Sequence, residues 1–305
     1  MNCGLTGDTP VFVMRDGVMN IVRVDDLGRA WKRTSMGVDS SNSAFKVWSE
    51  SGWQDIRAVT RTHVTKQHRF IDMHNDYGCV TTEQNLQMCT TLCSTYAAAA
   101  MHHTIVRTLP PPPAAISTNT TVAMACLMGA WFAAGIESVG AFHISCASIA
   151  PILSYRRYAR RLFEDVNTDY RGTNFHLDMR GGVDIFSCMM SENGKIVPAV
   201  ILNAEQNIRE AFCDGVALFN NNAHSDNVYM TDNRVALAGL HYLLASVRRA
   251  TTVGACGHKI VLYNEKPTDN TNTVVDTCYN GDCVYGIFVD DGNCAAVGVG
   301  GFLVF

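Results

Sequence analysis

Leu109-Pro110-Pro111-Pro112-Pro113-Ala114-Ala115-Ile116 divides the chain into two textures, and the reading of what lies on either side decides the fold. Four consecutive prolines make a stiff extended spacer that can be neither helix interior nor central strand. Upstream, from Thr9 to about Met88, short β-rich runs alternate with turn residues. Pro10 to Met14, Ile21 to Val24, Phe45 to Trp48 and Phe70 to Met73 read as strands, and Asp16-Gly17, Ser51-Gly52 and Asn75-Asp76 as turns. Close-spaced strands with polar turns predict an all-β module.

Downstream the pattern changes. Val122 to Gly135, Pro151 to Phe163, Glu205 to Phe219 and Arg234 to Arg248 read as helices; Phe175 to Met179, Asp184 to Met189 and Val197 to Leu202 read as strands. Helix, strands, helix occurs once after Val122 and again after Ile208, which implies a weak internal duplication. From Gly254 the tail returns to strand character: Lys259 to Tyr263, Thr273 to Asp276, Val284 to Val289, and a Gly-rich apolar close over Val297 to Phe305. The simplest layout is a β module split by an insertion, with boundaries at 1–108, 109–120 (the Pro-rich linker), 121–250 and 251–305.

Composition narrows the function. Of 305 residues, 47% are apolar and 17% charged, and 24 Lys plus Arg nearly balance 28 Asp plus Glu, for a formal charge of -4. A chain devoted to gripping DNA carries excess positive charge, because phosphate neutralisation supplies most of its affinity. The sequence shows no leader of the secretory type, so a chain that is not secreted is expected. Its longest apolar stretch, Val122 to Ile136, is about 15 residues, short of the ~20 a membrane helix needs, so a buried helix and no membrane partner are expected. Twelve scattered cysteines lack a compact disulfide framework and are expected to be reduced. Cys89 with Cys93, and Cys278 with Cys283, lack the spacing of a zinc site, and no metal or other cofactor is expected.

Gly4-Leu5-Thr6-Gly7-Asp8-Thr9-Pro10-Val11 resembles the opening block of an intein. Ser49 to Trp53 with Val59-Thr60-Arg61 resembles the following strand pair, as seen in inteins of large DNA virus DNA polymerases. Gly78-Cys79-Val80-Thr81-Thr82-Glu83 is similar to the block carrying the splicing Thr and His, and Val284 to Ile287 with Gly298 to Val304 to the closing blocks. Inside, Leu127-Met128-Gly129-Ala130-Trp131-Phe132-Ala133-Ala134-Gly135 and Ala211 to Asn220 resemble the paired helices of dodecapeptide (LAGLIDADG) homing endonucleases, and Ala236 to Leu244 the helix that follows. The resemblance implies a mixed fold: an all-β Hint (horseshoe) domain split by an α+β LAGLIDADG-type domain with an internal pseudo-twofold repeat.

It also implies where chemistry should stand. Splicing opens with attack by a Cys, Ser or Thr at the first intein position, and that position is Gly4, which has no nucleophile. Cys3 lies one residue upstream. Thr82 keeps the Thr of the next block, but Asn85 occupies the place of the His that protonates the departing amide. Phe305 stands where the penultimate His would be. The nuclease needs one carboxylate at the C-terminal end of each paired helix to hold a divalent metal, and the matching positions are Ala134 and Asn220. Asp214 lies more than a helical turn too early. The small residues Gly129, Ala130, Ala133 and Ala134, facing Gly215, Ala217 and Leu218, would let the two helices approach closely.

These readings lead to three expectations. The first is a catalytically inactive intein and endonuclease relic, repurposed as a structural or interaction protein, with capsid proteins of a large DNA virus as partners and the virion or host cytoplasm as its place. The second is a DNA-binding protein that does not cut, for which the basic, tyrosine-flanked run Arg156, Arg157, Arg160 and Arg161 offers contacts to DNA or a partner. The third is residual autoprocessing through Cys3.

Overall fold

The computed structural model describes all residues except 1–3, 35–37, 91–93, 117–118, 139–140, 182–184, 220–227, 257–258, 264–271, 290–294 and 305. The chain is mostly β-sheet with a few helices. A fifteen-stranded, largely antiparallel sheet is built from both ends of the sequence. Leu5–Thr6 lies between Cys283–Val289 and Gly78–Glu83, with Leu5 opposite both Tyr285 and Thr82. Phe302–Val304 lies between Gln87–Cys89 and Ala295–Val297. The twelve-residue strand Gly52–His63 pairs with Lys46–Ser49 at its start and with Cys283–Val289 along its length, joining the two halves of the sheet.

Local sequence explains the sheet's turns. Asp16-Gly17 connects Pro10–Arg15 to Val18–Arg23, with φ of 52° and 78° at its two residues. That is the left-handed pair a two-residue hairpin needs, and Asp-Gly is suited to supply it. These two strands bury both faces. Val11 and Val13 join the core inside the large sheet, while Phe12, Met19 and Ile21 join the core of the inserted segment.

Leu109 to Thr121 contains no regular element among its described residues. Helix α1 (Val122–Ala134) follows, with Thr121 as its N-cap accepting from the Met124 amide. The others are α2 (Ile149–Ala159), α3 (Ala199–Leu202), α4 (Gln206–Phe219) and α5 (Arg234–Ser246). Asn233 caps α5 through the amides of Val235 and Ala236. Four expected helices are present within a few residues of their predicted ends. The run Val197 to Leu202 is instead the single turn α3: Pro198 sets its N-cap, and a short apolar run does not by itself distinguish strand from buried helix. Ser187–Met189, expected within a strand, is a 3-10 turn.

Two units between the ends of the large sheet share one strand order. In the first half, Ala141–Cys146 leads into α2, and the hairpin Asp165–Arg171 with Asn174–Arg180 returns so that its second strand pairs Ala141–Cys146. In the second half, Val228–Thr231 leads into α5, and the hairpin Thr252–Cys256 with Lys259–Tyr263 returns so that its second strand pairs Val228–Thr231. The strands Thr252–Cys256 and Lys259–Tyr263 therefore belong with the second repeat. The large sheet resumes at Thr273–Thr277 and not at 251.

Helices α1 and α4 cross at the middle of this arrangement. A Cβ on Gly129 would lie 2.0 Å from the Phe212 carbonyl oxygen, and one on Gly215 would lie 2.2 Å from the Cys126 carbonyl oxygen. The two contacts are reciprocal and separated by the same interval along the chain, as a local twofold requires. Ala217 and Leu218 are exposed and do not face α1.

Two polar clamps join the insertion to the sheet. Asn203 at the end of α3 accepts from the Met19 amide (2.9 Å) and donates to the Met19 carbonyl (2.7 Å), so one side chain serves as a strand partner for Val18–Arg23. Arg234 at the start of α5 pairs with Asp8 (3.3 Å) and Asp72 (3.2 Å).

Candidate functional site

The sheet brings Gly4 and Thr82 together. The Gly4 amide donates to the Tyr285 carbonyl (3.0 Å). The Gly4 carbonyl accepts from the Glu83 amide (2.7 Å) and the Thr82 hydroxyl (2.9 Å). The two backbone bonds continue the pairing of the sheet, and the Thr82 hydroxyl adds a third tie; the carbonyl that a nucleophile at position 4 would attack belongs to Cys3. No acyl-transfer site is assembled around Gly4 among the described residues. A Cβ on Gly4 would meet Cβ and Cδ1 of Leu86, each at 3.1 Å, and Leu86 is itself buried. The space into which a nucleophile's side chain would project is lined by an apolar group. Asn85 is exposed. Cys3 and Phe305 lie outside the described residues.

Around this point the polar groups hold structure. The Tyr279 hydroxyl accepts from the Gly7 amide (2.9 Å) and donates to the Cys283 carbonyl (3.0 Å). Cys283 Sγ lies 3.4 Å from His63 Nδ1 across the pair Gly52–His63 and Cys283–Val289, a thiol and imidazole juxtaposition that no linear motif signals. Burial pushes the Cys283 thiol up. Burial likewise pushes Cys79 and Cys213 to about 12, and raises Cys126. A thiol in this condition is not a thiolate at neutral pH and is a poor nucleophile. Cys89 is disulfide-bonded, which corrects the expectation of uniformly reduced thiols.

At the helix crossing, Ala134 ends α1 with Gly135 as the C-cap; Asn220 lies outside the described residues. Asp214 on α4 forms an ion pair with Arg249. The residue that occupies the α1 terminus is Lys195, which the sequence reading passed over. Its ammonium donates to the carbonyls of Gly135 (2.5 Å), Trp131 (2.6 Å) and Phe132 (3.2 Å) and lies 4.5 Å from the Trp131 ring centroid. All three N–H bonds of an ammonium are thus spent, and a positive charge stands where the helix leaves unpaired carbonyls. Burial lowers the Lys195 pKa to about 8. No group of three metal-ligating side chains occurs among the described residues.

The first repeat's sheet has two faces. Ile144, Cys146, Leu177 and Met179 point into the core. By the twofold alternation of strands the other face carries His143, His176, Asp178, Asp169 and Asn167. Asp178 is bonded to His143 (2.6 Å) and Arg171 (2.5 Å), and Arg171 also to Asp169 (2.8 Å). His143 and Arg171 hold the Asp178 carboxyl below its ordinary range, although burial opposes them and is the largest single influence. This face is a network of paired acids and bases. Arg156, Arg157, Arg160 and Arg161 are on α2 and just beyond it, on the helix that covers the sheet's core side, with Arg156 half-buried and the other three exposed.

No family model matches the chain, and no curated protein matches it. Among solved structures it is similar to an intein from a hyperthermophile, at 19% identity over 32% of this chain and 66% of that one, with a TM-score of 0.26. It is also similar to the transcription factor IIB Mvu mini-intein, at 8% identity over 99% of both chains with a TM-score of 0.37. A third likeness is to full-length DUF199/WhiA from Thermatoga maritima, at 10% identity over 48% of this chain and 52% of that one, TM-score 0.31. These values describe a loose likeness of outline, and the residues themselves carry the functional reading.

Proposed function

We propose that this chain is a non-splicing, non-cleaving scaffold of Hint and homing-endonuclease type, used as a structural or interaction protein. The observation that carries this is at Gly4, the position of the first nucleophile: it has no side chain, and a Cβ there would meet the buried Leu86 at 3.1 Å. The Lys195 ammonium at the end of α1 supports the same reading, because a fixed cation there opposes a divalent metal. The narrower reading, a capsid-associated component of a large DNA virus, rests on the sequence resemblance alone. Duplex binding is not favoured, since the open face of the first repeat's sheet pairs its acids with its bases and the net charge is -4.

The test is intact-mass measurement of the purified chain with and without thiol or hydroxylamine, alongside a nuclease assay with Mg²⁺ on a random-sequence duplex library. An unchanged mass and uncut DNA are expected. A thiol-dependent fragment or any discrete cleavage product overturns the proposal.

A further inference from the structure

A cavity of about 380 Å³ opens where the large sheet meets α5. Its wall is made by four segments distant in sequence: the turn at Tyr77, the stretch Arg107 to Leu109, the end of α5 with the residues after it, and Gly300. Two guanidiniums, Arg107 and Arg249, line it, and no carboxylate is among its described lining residues. Arg107 is held over the Tyr77 ring, 4.1 Å from its centroid. Thr108 accepts from the Trp48 indole N–H (3.1 Å), which leaves its hydroxyl proton available to the cavity. Leu109, Ala245 and Ala250 supply an apolar side.

The chain invests in placing Arg249 there. Helix α5 closes with the Arg249 amide bonded to the Leu244 carbonyl (2.8 Å) and the Arg248 amide to Ala245 (3.0 Å), and Arg248 takes a left-handed φ of 62° where glycine is the usual choice. The end of α5 still carries the partial negative charge of a helix C-terminus, which Arg107 and Arg249 offset. Burial, then the nearby Arg107, push the buried His241 down to about 4, so it is neutral, and its Nδ1 shares a hydrogen bond with the Thr251 hydroxyl (3.0 Å).

We infer that this cavity binds a small organic phosphate. Two arginines suit an oxyanion that accepts several charge-assisted hydrogen bonds, and the apolar side and the volume suit an organic body attached to it. The ion pair between Arg249 and the exposed Asp214 competes with such a ligand.

The experiment is isothermal titration of the full chain with adenosine 5′-monophosphate, with adenosine as the phosphate-free control and inorganic phosphate as competitor. Saturable binding of the monophosphate, none of adenosine, and displacement by inorganic phosphate are expected. Arg107→Met and Arg249→Gln should each weaken binding about tenfold or more. Asp214→Asn should tighten it up to about fivefold by releasing Arg249. The last substitution is on an exposed side chain, so it keeps the test decisive if Arg107→Met fails to fold. No saturation at about 1 mM ligand, equal binding of adenosine, failure of inorganic phosphate to compete, or folded arginine variants that bind like the parent would each overturn the inference.

Discussion

Replacing Gly129 by alanine sets two effects of opposite sign against each other. Helix propensity alone favours alanine by about 1 kcal/mol. The contact opposes it: the new methyl would lie 2.0 Å from the Phe212 carbonyl oxygen and 3.0 Å from the Val216 amide, both backbone atoms of a neighbouring helix that cannot rotate away. Relief requires α1 and α4 to part by more than ~1 Å, and overpacking of this kind costs about 1–3 kcal/mol before the aromatic contacts around Phe132 and Phe212 loosen. Adding about 0.5–1.5 kcal/mol for the loosened aromatic pair and subtracting the propensity gain leaves a net loss of about 0.5–3.5 kcal/mol, and a similar loss is expected for Gly215→Ala, whose methyl would lie 2.2 Å from the Cys126 carbonyl oxygen. The double substitution should cost less than the sum, because helices already forced apart by one methyl accommodate the second. Urea unfolding followed by tryptophan fluorescence, to which the fully buried Trp131 of α1 contributes beside Trp31, Trp48 and Trp53, reads this. A midpoint unchanged or raised in either single variant, at constant slope, would show that the helices do not cross at these glycines.

Three further outcomes are expected. Lys195→Met strips three carbonyls of their donor and should lower stability by about 2–4 kcal/mol; a melting temperature equal to the parent's would deny the ammonium its capping role. His241 is depressed to about 4, so between pH 6.5 and 4 the unfolded chain takes up a proton that the folded chain refuses; stability present above pH 6.5 is lost as pH falls through that window, by roughly 3 kcal/mol at its foot. In the acid titration His241→Asn should flatten that slope, and a slope equal to the parent's removes His241 as its cause. Arg209 is buried on α4, and its Nε and Nη1 find no acceptor among the described residues, so Arg209→Met should raise stability by about 1–3 kcal/mol, as measured by chemical denaturation. A loss of stability instead would mean the guanidinium is satisfied.

Much of the fold was legible because period and punctuation agree. The apolar runs from Val122 and Arg234 read as helices that α1 and α5 form, and Asp16-Gly17 marks a hairpin that forms. The strands of the insertion were harder to read. Asp165–Arg171 has only Val166 and Tyr170 as apolar residues and gives little signal; Ala141–Cys146 does alternate and was passed over, while Val197 to Leu202, apolar throughout, was read as a strand and is a helical turn. At the candidate site, sequence register located Gly4 and Thr82, whose closeness depends on pairing across the sheet that the motif order implies. It could not locate Leu86 against Gly4, Lys195 under α1, or Cys283 beside His63, because each is a contact between segments with no shared motif.

The position of Leu5–Thr6, flanked by Cys283–Val289 on one side and Gly78–Glu83 on the other, has a consequence for assembly. Neighbours in space that are far apart along the chain meet at the entropic cost of closing the loop between them, and a folded intervening segment makes that loop effectively shorter. Removing the segment between Ile105 and Asn272 would therefore change the effective loop that separates Leu5–Thr6 from Cys283–Val289, while leaving its pairing with Gly78–Glu83 a local one.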